Sequence, residues 1–287
     1  MARHNQVSLY AQVLKVRVKE DEYGNFIKAS VILNVISGER NADDSGFDNY
    51  HFDCPVLMTK NQQIIAELKD WKENDMVVIK GTLSTRNFIK EFKCPKCGFV
   101  NQKDGTAGYI TPIHVMKVKS LPDEEACKED LRKHCEISNQ CTVIGNVCEP
   151  PEFYRRSENS PCSTQYNLAI NRKFRVREDP ATITTDYPRI KSRGSIAVDD
   201  AKFLQVGASV LLDGRVHTRQ FERSILCQNC GETFEKQDQS IELIPYAQEY
   251  LSGCRTPDEI DAIENDGDDK KTFEEKFNLV AETPKAE

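Results

Sequence analysis

No stretch of this 287-residue chain approaches the ~20 consecutive apolar residues needed to cross a bilayer. Its opening residues, MARHNQVSLY, lack the apolar core of a secretory signal. The expectation is a cytoplasmic protein without membrane contact. The five histidines are scattered, and paired carboxylates, a phosphate-cradling glycine loop and a nucleophile motif are all missing, so the chain is not read as an enzyme. A basic excess is missing too: net charge is −7. Eleven acidic against four basic residues between Thr256 and Glu287 account for all of it, and residues 1–255 hold 35 of each sign. A neutral body neither demands nor excludes nucleic acid, because binding depends on where cations cluster. Cysteine, in contrast, is plentiful. Eleven is an odd number, which argues against a complete disulfide framework and for free thiols or metal ligands.

The most informative pattern is a repeat. Val-x-x-x-Gly-x-x-x-Thr-Arg-x-Phe, five residues, then Cys-x-x-Cys-Gly, occurs twice, 133 positions apart and without a gap. It pairs Val77 with Val210, Gly81 with Gly214, Thr85 with Thr218, Arg86 with Arg219, Phe88 with Phe221, Cys94 with Cys227, Cys97 with Cys230 and Gly98 with Gly231. Self-similarity at such a period indicates a duplicated domain, and the chain has the length for two.

Each copy reads as five strands with one helix between the third and fourth. In the first, VSLYAQVLKVRV alternates with one phase change, as a bent or bulged strand does. FIKASVILNVI, YHFDCPVLM, the helix IIAELKDW, MVVIKGTLSTRNF and YITPIHVMKV follow. In the second, QCTVIGNV, QYNLAINRKF, DYPRIKS, a helix near AVDDAKFL, SVLLDGRVHTRQF and IELIPYA fill the same slots. That layout predicts an all-β chain of two tandem OB-folds, five-stranded Greek-key barrels, each with a Cys-x-x-Cys hairpin loop between strands four and five. The expected domains are 5–120 and 140–253, joined by a helical linker over 121–139 and followed by an acidic, unstructured tail over 254–287.

Val143-Ile144-Gly145-Asn146-Val147, then Pro151-Glu152-Phe153, then the segment Val210 to Phe221 resemble, in order, the opening and fourth strand of bacterial single-stranded DNA-binding proteins. The first copy keeps only the fourth-strand pattern. The resemblance covers roughly residues 5–120 and 140–250. It implies sequence-independent binding and protection of single-stranded DNA in replication, repair or transfer, with bases stacked on aromatic rings. Carried over, the ring before the long loop falls on Phe174, that of the third strand on Tyr187 and Tyr50, and that of the fourth on Phe221 and Phe88. Arg40 stands in the first slot of the first copy. Family tails are acidic and recruit replication and repair proteins through an apolar tip. Here Asp258 to Asp269 supply the acidity, but the chain ends FNLVAETPKAE; Phe273, Phe277, Leu279 and Val280 form either an internal docking motif or part of a solvated spacer.

The residues support this reading by themselves. Every base has a π-face, so rings along a groove bind without regard to sequence, and Lys and Arg add the phosphate term. Arg86 and Arg219 stand two residues before Phe88 and Phe221, on the same strand face. Arg172, Lys173, Phe174 and Arg175 lie in the densest basic and aromatic stretch. The expected partners are single-stranded DNA, a second copy in a homodimer, and proteins docking on the tail. The competing reading is an OB-fold and zinc scaffold that docks partners in a replication or transfer complex, with incidental DNA contact. Structural zinc wants four ligands, and Cys94, Cys97, Cys227 and Cys230 would supply them jointly. Separate sites completed across an oligomer, or metal-free pairs including reversible disulfides, are the other outcomes.

Overall fold

The computed structural model describes residues 4–40, 47–155, 160–172 and 184–265. Lys173, Phe174 and Arg175, and the tail from 266 onward, lie outside the described residues. The first barrel is built from β1 (His4–Glu20), β2 (Phe26–Arg40), β4 (Val56–Thr59), β5 (Asp75–Lys93) and β6 (Val100–Ser120), with β3 (Phe47–Asp53) hairpinned onto β2. Pairing runs β1–β2–β4–β6–β5 and back to β1, with β4 and β6 parallel, which closes the ring. The bend expected in the first strand is a register shift between Val13 and Lys15. Helix α1 (Gln62–Leu68) turns Ile64, Ile65 and Leu68 into the barrel, capped by the Asn61 side chain.

The second barrel repeats this. β7 (Asn139–Val147), β9 (Cys162–Asn171), β11 (Arg189–Arg193), β13 (Thr233–Ser252) and β12 (Ser209–Leu226) close in the same order, with β8 (Glu152–Arg155) and β10 (Thr185–Asp186) added on β9. Helix α4 (Gly194–Phe203) takes the place of α1. The barrels share one continuous apolar core cluster. The chain is two tandem OB-folds fused edge to edge.

Fusion begins where β1 and β7 pair antiparallel. Gln6 faces Thr142, Val7 faces Cys141 and Ser8 faces Gln140, so the seam is its own image when the barrels are exchanged. Two side-chain amides continue the ladder where backbone pairing stops. Asn5 exchanges hydrogen bonds of 2.8 and 2.9 Å with the backbone of Leu83, and Asn139 does the same with Val216 at 2.8 and 3.0 Å.

Two buried carboxylates then lock the barrels crosswise. Asp186 accepts from the Thr85 amide at 2.7 Å, and Asp53 accepts from the Thr218 amide at 2.7 Å. Each Asp begins an Asp-x-Pro turn, and the two turns stand 133 residues apart. Neither charge is left alone in the interior. Arg172 donates to both oxygens of Asp186 at 2.5 and 2.7 Å, while Arg215 at 3.0 Å and His217 at 2.8 Å serve Asp53.

The repeated glycines have a steric cause. A Cβ on Gly81 would stand 2.6 Å from the Thr111 carbonyl oxygen, and one on Gly214 would overlap that of Ile244. Both mark register shifts at which the fourth strand presses on the fifth.

Two expected boundaries differ. The linker does form helices, α2 (Glu124–Lys133) and α3 (Cys135–Ser138), but it also covers the first barrel. Cys127, Leu131 and Cys135 pack on Tyr10, Ile36 and Met76, and Tyr10 donates to Asp130 at 2.5 Å. The region expected to be unstructured from 254 opens with helix α5 (Pro257–Asn265), because Ile260 finds Phe153, Ala197 and Ala201 to pack against.

Asp186→Ala leaves the Arg172 guanidinium buried without its partner and removes the acceptor of the Thr85 amide. Chemical denaturation should show a loss of about 3–5 kcal/mol; a loss below about 1 kcal/mol would mean that the crosswise lock does not hold the barrels.

Candidate nucleic-acid interface and metal centre

The fourth and fifth strands of each barrel run on as a long hairpin, and the two hairpins lie side by side. Gly108 sits where a Cβ would come 3.0 Å from Ile241 of the other hairpin, so the residue there must be small. Further out, Lys90 crosses to Asp238, which also accepts from Arg223 at 3.0 Å. Near the tips Asn101 accepts from the Gln228 amide at 2.9 Å, and Lys96 pairs with Glu232 at 2.7 Å.

The tips themselves are twin turns. Gly98 donates to the Cys94 carbonyl at 3.0 Å and Gly231 to that of Cys227 at 2.9 Å. Both glycines have φ near +70°, 73° and 71°, the left-handed region that makes a glycine the economical residue. Cys94 Sγ lies 3.8 Å from Cys230 Sγ and Cys97 Sγ lies 3.6 Å from Cys227 Sγ, and all four sulfurs stand within 4.8 Å of one another. Four thiolates at about 2.3 Å from one tetrahedral ion are about 3.8 Å apart, so the donor set fits a single metal. Of the arrangements left open by spacing alone, the structure has the four-cysteine cluster, formed across the barrels within one chain. Phe92, Ile225 and Phe234 pack around Cys94 and Cys227 and keep that side dry.

Below the tips, three adjoining cavities make one track. The first, at barrel one, is lined by Lys28, Met58, Lys60, Arg86, Phe88 and Tyr109. The next shares Phe88 with it and adds Thr106 and Arg223. The third shares Thr106 and Arg223 and continues to Phe221, Arg219, Tyr187 and Arg189 of barrel two. Neighbouring cavities thus share lining residues in succession from one barrel to the other. Cations crowd along them. Burial, and after it the nearby Arg86, Lys60 and Lys19, push the Lys28 ammonium below its ordinary pKa. Lys191 is likewise lowered, first by burial and then by Arg193, Arg219 and Arg189, against the opposing pull of Glu242. Such crowding is relieved by a bound polyanion.

Five of the eleven expected contact residues line these cavities. Arg86 and Phe88 line the first, and Tyr187, Arg219 and Phe221 the third. The Arg219 and Arg223 guanidinium carbons stand 5.5 and 5.6 Å from the Phe221 ring centre, and Lys90 stands 5.4 Å from that of Phe88. Tyr187 is 53% exposed and its backbone is pinned by donation to Thr85 Oγ1 at 2.8 Å. Arg172 differs from expectation. Its side chain is buried on Asp186, where it holds the lock together and does not face solvent. Tyr50, on β3, is not the counterpart of Tyr187: the 133-residue frame puts Cys54 there. Arg40 ends β2 opposite Phe47.

Residues missed at the sequence level include Lys28, Lys60, Arg223 and Tyr109, which line the cavities, and Lys191 and Arg193, which stand electrostatically near Arg189 and Arg219. The repeat carried a signal for two of them, since Lys60 and Arg193 are both basic and 133 apart.

Residues 138–229 match the Single-strand binding protein family. The matched stretch runs from the start of β7 past the end of β12 in the second barrel. The first barrel lies outside the matched residues and is tied to the second by the repeat and the reciprocal seam. Among solved structures, the single-stranded DNA binding protein from Thermus aquaticus aligns with a TM-score of 0.55 at 15% identity, covering 89% of this chain and 96% of that one. A deletion mutant of the same protein gives 0.54 and 15%, over 90% and 99%. These likenesses show a shared fold across both barrels. No curated protein matches the chain significantly.

A cross-barrel cluster predicts one tetrahedral metal ion per chain by elemental analysis of the purified protein. Cys97→Ser and Cys230→Ser, on opposite hairpins, should each lower its retention against a chelator. Full retention in either variant, or two ions per chain, would contradict the shared site.

Proposed function

We propose that this protein binds single-stranded DNA without catalysis, laying one strand along the track from Phe88 to Tyr187. The observation that carries this reading is the succession of adjoining cavities, which set rings beside cations in both barrels. Bases stack on Phe88, Phe221 and Tyr187, while Lys28, Lys60, Arg86, Arg189, Arg193 and Arg219 meet phosphates. Tolerance of any base at the stacking positions follows from the ring faces, and preference for single strands follows from the need to splay the bases. The family match over residues 138–229 supports the same reading.

In this proposal Cys94, Cys97, Cys227 and Cys230 hold zinc, whose preference for four thiolates in a closed tetrahedron suits the cluster. Zinc supplies no chemistry to DNA; the four cysteines hold two hairpins in one register so that the track stays continuous. A second copy is the proposed partner of the exposed Ile113, Met116 and Val118 on the outer face of β6, giving a homodimer. The service is in DNA replication, repair or transfer, with the acidic tail after α5 recruiting other proteins of those processes.

Anisotropy titration with oligo-thymidine should show salt-sensitive binding and little affinity for duplex. Phe88→Ala and Phe221→Ala should each weaken it by about 1–3 kcal/mol. Equal affinity for single and double strands, or no effect of both substitutions together, would overturn the reading in favour of a docking scaffold.

A further inference from the structure

Glu242 is out of keeping with its surroundings. It lies on β13 opposite His217 of β12 and beside Arg189 of β11, in a wall that otherwise gathers Lys191, Arg189, Arg193 and Arg219. Its side chain is 3% exposed. A carboxylate so buried ordinarily takes several donated hydrogen bonds. Among the described residues its nearest ion-pair contact is Arg219 Nη1 at 3.7 Å, beyond hydrogen-bond length, and Lys191 attracts it through space without a hydrogen bond.

That unfilled acceptor capacity borders a cleft of about 440 Å³, which also presents Tyr187 and Phe221. The volume falls within the range of small-ligand sites, about 300–1,000 Å³. At the equivalent place in the first barrel stands Tyr109, bordering the cavity with Met58 and Phe88. Equivalence is fixed by strand register, since Ser84 faces Tyr109 as His217 faces Glu242. One barrel therefore offers only a ring and cations at this wall, and the other adds a hydrogen-bond acceptor.

Resting on the reading of the track as a single-strand site, we propose that Glu242 makes the second barrel base-selective, favouring a guanine stacked on Phe221 or Tyr187. Guanine is the base whose Watson–Crick edge sets two donors, N1–H and N2–H, side by side, matching the two oxygens of a carboxylate. Adenine and cytosine offer one amino donor next to a ring-nitrogen acceptor. Thymine offers one N–H flanked by two carbonyl oxygens, which a carboxylate repels. Arg219, with 47% of its side chain exposed, covers the carboxylate only loosely and can turn its guanidinium to the phosphate of the incoming nucleotide.

The test is an anisotropy titration of the full chain with a short thymine oligonucleotide and with versions carrying one central guanine, adenine or cytosine. Guanine should tighten binding about tenfold over thymine, with the other two between. Glu242→Gln puts a donor where guanine offers one and should remove the advantage. Glu242→Tyr, which copies the residue the first barrel carries at this place, should level the four bases as well. Equal affinity of the unaltered chain for all four, or a guanine advantage that survives both substitutions, overturns the assignment and leaves the single-strand site standing. Failure to bind any of them overturns the site itself.

Discussion

Asp53 and Asp186 are each buried in one barrel's turn and each accepts a backbone amide from the other barrel's fourth strand, Asp53 taking Arg215 and His217 from that strand as well and Asp186 taking Arg172 from its own barrel. A buried carboxylate that loses donors is costly, so sliding the two halves strips Asp53 of its arginine, histidine and amide and Asp186 of the Thr85 amide. Everything beyond the seam inherits that constraint. The hairpins leave their barrels at Thr85 and Thr218, the residues that the carboxylates hold, and so start out in fixed relation. Gly108 against Ile241, Lys90 against Asp238 and the four sulfurs follow in order along their length.

A symmetric frame has been lined with unequal chemistry. Both fourth strands carry Arg, then Phe two residues on, and both barrels place a base at 60 or 193. Around these, the first barrel gathers lysines with Met58 and Tyr109, and the second gathers arginines with Glu242. The seam is unequal as well. Asp186 has one bidentate arginine, while Asp53 has an arginine and a histidine. Duplication supplied the geometry, and the lining of each copy diverged within it.

Much of the fold was legible because the repeat samples each layer of the structure once. Val77 and Val210 face the core, Gly81 and Gly214 permit the close strand approach, and Thr85 and Thr218 take the lock. Arg86, Phe88 and their partners face the track, and the cysteines close the tips. The lock itself was hidden. Asp-x-Pro is too short a pattern to stand out, although it recurs at the same 133-residue spacing. Arg172 misled for a related reason: a basic residue in a basic segment reads as a phosphate contact, and only the fold reveals a buried carboxylate 14 residues later that claims it. Lys28 and Lys191 were invisible because alternation along a strand says which face a residue takes, but not which other strands bring their cations to it. Glu242 read as one more acid in a strand, and its isolation among cations is a property of the assembled barrel alone.

The central claim is that both barrels contribute to one uninterrupted surface for a single strand. Ultraviolet cross-linking of an oligo-thymidine to the full chain, followed by mapping of the modified peptides, tests it directly. The account predicts adducts on both hairpins, at the peptides bearing Phe88 and Phe221, and at the turn bearing Tyr187. Adducts confined to one barrel, or found only on the outer faces away from these rings, would contradict it.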